Sequence, residues 1–411
     1  MPRFVKALIA VAALVLVSWY GLHTLGANND ISAAFGKPFG AKADIPDSPA
    51  EWQGQVDYAE LDRRLAAMSA RPEMAGLAVA VVEGGKLRFV HTYGVADRSN
   101  QAAVTPNTVF RWASVSKTVA GTLAATLESE GALALERPVG SWQTSLRLSS
   151  GAESRVTLAQ LLSHRTGLTK NAYDERLEDD QDPRVVRAQL AAAPLQCEPG
   201  TCHTYQNVAF DAASEIMTQA ANRPFVVSVS ERFFLPLGMT SASYGMAGLT
   251  NSKEWARPHS GSQLRTLKEA YWRVPAAAGV ESNIVDFAKW MQAAMGERPD
   301  VLPESVLKVA QMPRIETARL YGGALRQANS DAHYGLGWRS FRYGEHSLVG
   351  HSGAVDGYRT TLIFDPKTRV GVVAMWNSNW GAPFRIPFAV FDAYDKTADW
   401  RWLDLSDIPV S

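Results

Sequence analysis

The chain has 411 residues, of which 46% are hydrophobic, and it carries 41 basic and 41 acidic residues. This neutral balance argues against a nucleic-acid-binding protein, which usually shows a basic excess or a basic stripe. The composition, which includes no long low-complexity tract, predicts a well-packed globular body.

The N-terminus differs in kind from the rest of the chain. Arg3 and Lys6 precede an uncharged stretch at 7–22, a pattern typical of a signal peptide or a signal anchor. Leu25 would occupy the −3 position of a cut after Ala27, which disfavours cleavage. We therefore expect a membrane anchor that holds the body in the periplasm or otherwise outside the cytoplasm, tethered to the inner membrane, or a secreted protein if the segment is cleaved.

The body is expected to begin with a helix and a hairpin. Residues 28–55 are polar and contain three prolines, which is typical of a linker. Leucines on one face predict a helix at 56–70. Apolar runs at 77–82 and 87–93, separated by a glycine-rich turn, predict a β-hairpin.

Ser114 stands one helical turn before Lys117, and apolar residues recur at helical spacing from 115 to 127. We expect a long buried helix that ends near Gly131, with Ser114 close to its N-terminus, where the macrodipole favours a developing negative charge. A serine hydroxyl becomes a nucleophile when a base takes its proton. The lysine amine lies on the same helix face and can act as that base if burial lowers its pKa.

A Ser-x-x-Lys pair also arises by chance about once in a chain of this length. The chain supplies a second one, from Ser305 to Lys308, in a short amphipathic stretch with no partner motif beside it. We interpret this second pair as a solvated helix face.

Residues 114–282 are mostly helical in pattern and contain both cysteines of the chain, Cys197 and Cys202. In an exported protein so close a pair favours a disulfide, with free thiols as the alternative. A metal site that used His203 would need a fourth ligand, and nothing nearby offers one. The acidic cluster at 174–182 is interpreted as a solvated loop near the rim of the site, with paired catalytic carboxylates as a remote alternative.

Tyr205 and Asn207 can point the same way if their segment is extended. The phenol can relay protons, and the amide can hold either a substrate amide or the lysine. The alternative is a tyrosine packed on the core and an asparagine bonded to its own backbone.

The tripeptide His351-Ser352-Gly353 follows a short apolar stretch and precedes a second predicted hairpin, at 360–364 and 370–376. A glycine in or beside an edge strand would allow a ligand to approach the backbone, and the amide of Ala354 could then bond a substrate carbonyl. The same tripeptide recurs at 259–261, where we expect a surface loop.

A helix at 286–295 and a closing helix at 384–394 complete the predicted elements. Sheet and helix at both chain ends, with a helical block between, predict an α+β fold: one antiparallel sheet built from both ends, with flanking helices and an inserted, mostly helical subdomain. Other chemistries find no support, because the sequence lacks a Gly-x-Ser-x-Gly motif, paired histidines at metal-binding spacing and a phosphate-binding glycine loop after a strand.

In order and spacing, three segments resemble the motifs of the serine β-lactamase and DD-peptidase superfamily: 114–117, 205–207 and 351–353. The chain looks like the class C-type branch, which holds class C β-lactamases, DD-carboxypeptidases, D-aminopeptidases and family VIII esterases. Further segments that resemble this branch are 161–168, 234–239 and 365–377. The resemblance covers 56–394.

This resemblance implies a mechanism without a cofactor or a metal. Ser114 would form an acyl-enzyme, Lys117 and Tyr205 would share the acid–base work, and the backbone amides of Ser114 and Ala354 would form the oxyanion hole. The implied substrate-binding residues are Asn207, His351, Ser352, Gly353 and Ala354. Class C β-lactamases carry lysine where this chain has His351. Lysine is a permanent cation for a substrate carboxylate, whereas a histidine is charged only at lower pH. We therefore expect a peptidase or an esterase rather than an efficient β-lactamase.

The resulting expectation is an exported serine hydrolase, with a signal segment at 1–27, a linker at 28–55, a hydrolase domain at 56–396 and a tail at 397–411. Its partners would be an amide or ester substrate, either a small molecule or a peptide, and the membrane, but not nucleic acid. The alternatives are a class C-type β-lactamase and a non-catalytic relative that binds or acts as a scaffold. The sequence does not set the oligomeric state.

Overall fold

The computed structural model describes residues 45–46, 48–397 and 399–404. The predicted signal segment lies outside these residues, as do most of the predicted linker and part of the predicted tail. Within the described part of the chain, no helix is both long and apolar enough to cross a membrane.

A nine-stranded sheet forms the centre of the fold, and every neighbouring pair of its strands is antiparallel. The strands in chain order, including those of two smaller sheets, are β1 (Gly76–Glu83), β2 (Lys86–Asp97), β3 (Ala102–Ala103), β4 (Phe110–Arg111), β5 (Ser243–Tyr244), β6 (His259–Ser260), β7 (Gln263–Leu264), β8 (Val280–Ser282), β9 (Ile315–Glu316), β10 (Asn329–Tyr334), β11 (Arg339–Tyr343), β12 (His346–Val355), β13 (Tyr358–Asp365) and β14 (Val370–Trp376). The order across the large sheet is β3-β2-β1-β14-β13-β12-β11-β10-β9.

Thirteen α-helices lie in the described part of the chain. They are α1 (Tyr58–Ser69), α2 (Ser116–Ser129), α3 (Leu158–Leu162), α4 (Asp174–Glu178), α5 (Pro183–Gln189), α6 (Ala212–Ala221), α7 (Phe225–Val229), α8 (Met246–Thr250), α9 (Pro275–Ala278), α10 (Ile284–Ala294), α11 (Glu304–Gln311), α12 (Gly323–Ala328) and α13 (Ile386–Tyr394). Ten of them, from α2 to α11, lie between β4 and β9 in the sequence and form the predicted helical insertion.

The centre of the sheet joins the two ends of the described body, as predicted. Strand β1 pairs with β14 from Leu77 opposite Trp376 to Val82 opposite Gly371. Both strands are buried on both faces, which explains their near-continuous apolar sequences. Odd-numbered side chains of β1 share a core with α1 and α13, whereas even-numbered ones share a second core with α2 and α10. The predicted α+β architecture, with helices on an antiparallel sheet, is confirmed.

One expectation about strands is confirmed and another is wrong. Strand β12 pairs with β11 only as far as Gly350, opposite Arg339, so among the described strands the tripeptide 351–353 pairs with β13 alone and lies at a locally open edge of the sheet, as expected. The second copy of the tripeptide is not a surface loop: residues 259–260 form β6, and the buried His259 ring accepts a hydrogen bond from the backbone of Arg98 (3.3 Å).

Helix α2 is packed on all sides, and glycine makes the packing possible. The Cβ atom of any other residue at position 121 would lie 1.6 Å from the carbonyl oxygen of Leu336. A Cβ at Gly337, which has a positive φ of 71°, would lie 2.0 Å from the carbonyl oxygen of Lys117. The chain around 336–337 therefore touches the backbone of α2 directly, and this contact fixes the helix against the end of the sheet.

We predict that Gly121→Ala lowers the free energy of unfolding by more than about 3 kcal/mol, because the new methyl group must displace a backbone carbonyl on one side or the other. Gly381→Ala is the matched control, since its Cβ would meet nothing within 4 Å, and we expect a change within about 0.5 kcal/mol. Urea unfolding of both variants provides the measurement. Equal effects of the two substitutions would contradict the proposed close contact of α2.

Candidate active site

The predicted site residues meet around one cavity of about 790 Å³. Those that line it are Ser114, Tyr205, Asn207, His351, Ser352, Gly353 and Ala354. Lys117 lies directly behind Ser114 and is fully buried. Three segments separated by some 90 to 150 residues in the sequence therefore converge, as predicted, although the role of each residue remains a prediction.

Ser114 sits in a short 3₁₀ turn, Ala113–Val115, that leads into α2 rather than in α2 itself. The turn is held by its neighbours, since the Thr360 hydroxyl donates to the carbonyl of Trp112 (2.8 Å). Gly353 approaches the same carbonyl so closely that a Cβ would lie 2.3 Å from its oxygen. The glycine of the third segment thus allows the serine turn to pack against β12, whereas the sequence had suggested only the approach of a ligand.

Lys117 is held by neutral groups. Its Nζ donates to Asn207 Oδ1 (2.7 Å) and to the carbonyl of Ala277 (2.9 Å), and it lies 3.5 Å from Ser114 Oγ. The rings of Tyr205 and Phe210 lie 4.8 and 5.3 Å from Nζ. Within the described residues no carboxylate forms an ion pair with this amine, and the third polar neighbour of Nζ, besides Asn207 and Ala277, is the Ser114 hydroxyl.

Tyr205 and Asn207 face the cavity, while Gln206 between them points into the protein. The Gln206 side chain donates to the carbonyl of Thr169 (2.7 Å). This alternation is that of the extended segment the sequence predicted.

Asp174 is a residue of this site that sequence reasoning missed. Its Oδ2 accepts a hydrogen bond from Asn207 Nδ2 (2.7 Å), so the amide bridges Asp174 and Lys117. Burial raises the pKa of the Asp174 carboxyl to about 6. The solvated loop predicted for the acidic cluster is therefore wrong for this residue, because Tyr173 adopts a left-handed conformation (φ 62°) at the start of α4 and Asp174 is buried at its first position.

His351 lines the cavity, but both of its ring nitrogens are bound to the protein. Nδ1 lies 2.7 Å from the carbonyl of Ser352, and Nε2 lies 2.9 Å from the hydroxyl of Tyr334. Burial, together with the nearby cations Arg339 and Lys117, holds the pKa of His351 well below its ordinary value. The sequence suggested a pH-dependent cation here. In the structure, burial and the two nearby cations favour the neutral form of the ring instead.

Arg339 is the second residue that the sequence did not single out. It lines the cavity with its guanidinium carbon 4.9 Å from the centre of the Tyr334 ring and 5.8 Å from that of Tyr205. No carboxylate among the described residues pairs with it, although most arginines of this part of the chain have such a partner or a hydrogen bond. Arg339 is recognisable as a site residue only because β11 lies next to the cavity. The sequence alone does not show that β11 and the cavity are neighbours.

The disulfide predicted between Cys197 and Cys202 is present. It uses both thiols, which removes the alternative of a metal site that includes His203. The residues on either side of the bridged loop, Gln196 and His203, line the cavity. The loop therefore borders the segment that carries Tyr205.

The second Ser-x-x-Lys pair lies on a solvated helix face, as expected. Lys308 is 73% exposed and pairs with Glu304 of the same helix, which is 80% exposed. Its contrast with the fully buried Lys117 makes this pair an internal control for mutagenesis.

Comparison with known proteins shows which family this chain matches. A family model described as Beta-lactamase matches residues 61–390, which is most of the chain. The chain is 27% identical over 354 residues to the unguisins hydrolase ungD' of Aspergillus campestris, covering 80% of this chain and 63% of that protein. It is 29% identical over 316 residues to a D-aminopeptidase of Brucella anthropi, covering 75% of this chain and 57% of that protein.

The chain thus spans about 60% of the length of the curated relatives it matches. Among solved structures it is similar to the octameric penicillin-binding protein homologue from Pyrococcus abyssi, with a TM-score of 0.72 and 20% identity over 82% of this chain and 77% of that one. At this identity the likeness supports the fold.

The pKa of Asp174 leads to a prediction about stability. A carboxyl whose pKa rises from 3.8 to about 6 on folding keeps its proton in the folded protein where the unfolded chain has released it. The folded state then binds more protons, so the stability contributed by this group falls as the pH rises from about 4 to about 6 and is level above that range. A shift of about two pKa units corresponds to roughly 2 to 3 kcal/mol.

Asp174→Asn removes this titration and retains an acceptor for the Asn207 amide. Relative to the wild type, the variant should therefore gain roughly 2 to 3 kcal/mol between about pH 4 and about pH 7.5. Urea unfolding at the two pH values measures this difference, and Asp179→Asn, at an exposed position of the same cluster, should show no such gain. A pH-independent difference between wild type and Asp174→Asn would refute the assignment.

Proposed function

The chain belongs to the beta-lactamase family, and we propose that it is a serine hydrolase that cleaves an amide or an ester through an acyl-enzyme on Ser114. The observation that carries this proposal is the placement of Lys117 Nζ 3.5 Å from Ser114 Oγ at the wall of a cavity that Tyr205 also lines. The names of the relatives, a hydrolase and an aminopeptidase, support hydrolysis of an acyl compound.

In the proposed acylation step, Ser114 Oγ attacks the carbonyl carbon of the substrate. Lys117 and Tyr205 together take the hydroxyl proton and deliver it to the leaving amine or alcohol. The backbone amides of Ser114 and Ala354 bind the oxyanion that forms. Water then attacks the acyl-enzyme, which releases the acid and restores the serine hydroxyl.

The contacts of Lys117 suit this role. Asn207 and Ala277 fix the position of the amine through short bonds, whereas the distance to Ser114 is longer. Such bonds to the nucleophile are often loose without substrate and shorten in the complex. These fixed partners are uncharged oxygens, and no carboxylate in the described part of the chain forms an ion pair with the amine.

Arg339 supports a finer proposal, that the preferred substrates carry a carboxylate near the scissile bond. An unpaired guanidinium in a cavity can bind a carboxylate through two parallel hydrogen bonds. His351 does not offer an equivalent charge, because its ring is buried and bound on both nitrogens. We therefore assign the recognition of the carboxylate to Arg339, with His351 as part of the wall.

We also propose that the protein acts outside the cytoplasm. The disulfide between Cys197 and Cys202 supports this location, since such bonds persist mainly in oxidising compartments. Fractionation of the producing cells, with the mass of the mature N-terminus, tests both the compartment and the predicted anchor at 1–27.

We predict that Ser114→Ala lowers kcat by on the order of 10⁴-fold or more and abolishes labelling by a fluorophosphonate, because the nucleophile is lost. Lys117→Ala should lower kcat to a similar degree, since the two residues act as a unit. Turnover of p-nitrophenyl esters, D-alanyl peptides and nitrocefin provides the assay, and the preferred class separates an esterase, a peptidase and a β-lactamase.

The second Ser-x-x-Lys pair supplies the matched controls. Ser305→Ala and Lys308→Ala should leave labelling and turnover unchanged, because both side chains lie outside the cavity. A wild-type protein that is folded but neither labels nor turns over any substrate would favour the non-catalytic alternative.

For Arg339→Gln we predict a loss of about 10- to 100-fold in kcat/KM on a substrate that carries a carboxylate, and a change of less than about 3-fold on its methyl ester. Arg342→Gln, at an exposed position of the same strand, is the control and should affect neither substrate. Equal losses on the charged and the neutral substrate would assign Arg339 a structural role instead.

A further inference from the structure

A buried chain of hydrogen bonds connects the second and third motif segments behind the cavity. The backbone N–H of Gln206 lies 3.1 Å from His164 Nδ1, and His164 Nε2 lies 3.1 Å from the Tyr334 hydroxyl. The same hydroxyl lies 2.9 Å from His351 Nε2, and His351 Nδ1 lies 2.7 Å from the carbonyl of Ser352. Both histidine rings and the tyrosine ring are buried.

The groups at the two ends of this series of hydrogen bonds determine the position of every proton in it. A backbone N–H can only donate, so His164 Nδ1 must accept, and a neutral His164 then carries its proton on Nε2 and donates to Tyr334. A carbonyl can only accept, so His351 must carry its proton on Nδ1 and accept from the Tyr334 hydroxyl at Nε2. With both rings neutral, each of the four hydrogen bonds has one donor and one acceptor. A proton added to His164 Nδ1 would face the backbone N–H of Gln206, and one added to His351 Nε2 would displace the hydrogen bond that the Tyr334 hydroxyl donates there.

The surroundings also favour neutral rings. Lys117, Arg339 and His203 are the basic groups near His351, and the same three lie near His164. The Tyr205 ring lies 4.3 Å from that of His164 and 6.3 Å from that of His351. No carboxylate of the described residues is in contact with either ring. Burial and these cations lower the pKa of both histidines well below the ordinary value.

We propose that His164 and Tyr334 are positioning residues of the acyl-transfer site, which act by holding His351 in its neutral form with the proton on Nδ1. This inference rests on the proposed serine hydrolase function. Through the hydrogen bond from His351 Nδ1 to the carbonyl of Ser352, this series of hydrogen bonds sets the orientation of the peptide group between Ser352 and Gly353. That peptide leads to the amide proposed for the oxyanion hole, so the hydrogen-bond chain couples its orientation to the segment of Tyr205.

The neutral form of His351 also limits the positive charge next to Lys117. A cationic His351 would lose its bond from Tyr334 and would add a positive charge beside Lys117, whose amine must accept a proton during acylation. With His351 held neutral, the positive charge at the cavity wall comes from arginine and lysine side chains, namely Arg339, Arg319 and Lys170. The activity should therefore show no titration of a histidine between about pH 5 and about pH 7.

Two measurements test the proposal, and the first needs no turnover. In protein labelled with ¹⁵N-histidine, long-range proton–nitrogen spectra report which ring nitrogen is protonated, and His164→Gln and His351→Gln assign the signals. We expect His164 with its proton on Nε2 and His351 with its proton on Nδ1 from about pH 5 to about pH 8. A doubly protonated His351 at pH 6, or the opposite tautomer of either ring, would overturn the proposal.

The second measurement is the pH profile of Tyr334→Phe on a neutral ester. We expect kcat to fall about 10- to 100-fold with KM within about 3-fold, and a new acidic limb to appear in the profile, because His351 Nε2 loses its donor and becomes free to bind a proton. Tyr343→Phe is the matched control: it removes another buried tyrosine hydroxyl of the same sheet, one that donates to Asp392 (2.6 Å) away from the cavity.

If Tyr334→Phe and Tyr343→Phe have the same kcat and the same pH profile, the positioning role is refuted. Fluorophosphonate labelling of Ser114 in the wild type separates this result from a failure of the proposed function. An unlabelled but folded protein would overturn the hydrolase assignment, while the tautomers would still be read directly from the spectra.

Discussion

The fixed position of the Lys117 amine is the constraint on which the rest of the site depends. A fully buried amine needs hydrogen-bond acceptors, since an unpaired one is costly inside a protein. Here the acceptors come from two distant segments, the side chain of Asn207 and the carbonyl of Ala277, and Ser114 Oγ lies 3.5 Å from the same amine. The amine is therefore placed correctly only when the helical insertion is folded against α2. This requirement couples the formation of the cavity to the packing of the whole domain.

Each acceptor of that amine is itself held by a buried carboxyl. Asp174 accepts from the Asn207 amide, and Asp211 accepts from the backbone N–H of Ala276 (2.9 Å), one residue before the carbonyl that binds Lys117. Asp211 is in turn paired with the buried Arg187 (2.8 Å). The two carboxyls thus hold the groups that bind the amine and do not contact the amine itself, so no negative charge lies directly against it. Direct pairing would stabilise the ammonium and oppose the proposed role of Lys117 as a base.

Sequence reasoning recovered the parts of this molecule whose signal is local. The hairpins, the helix after Ser114 and the disulfide follow from periodicity, turn residues and spacing, and the ordered motifs brought the three site segments together. Strands β9 to β11 were missed because they are short or rich in polar residues. Asp174 and Arg339 were missed for a different reason: each is defined by a partner, or by the lack of one, across the fold. The neutral state of His351 likewise depends on Tyr334 and His164, whose proximity no local pattern encodes.

The repeated motifs within this one chain show what turns a short motif into a site. Lys308 follows a serine by three residues, as Lys117 does, but it reaches water and pairs with Glu304 on the surface of α11. Lys308 is hydrated and paired with an opposite charge, whereas Lys117 is fully buried and its short hydrogen bonds go to uncharged oxygens. Likewise, His259 is buried as deeply as His351, but its ring accepts from the backbone of Arg98 and does not line the cavity. The proposed chemistry therefore depends on two conditions together: the amine is buried, and a cavity beside it can admit a substrate.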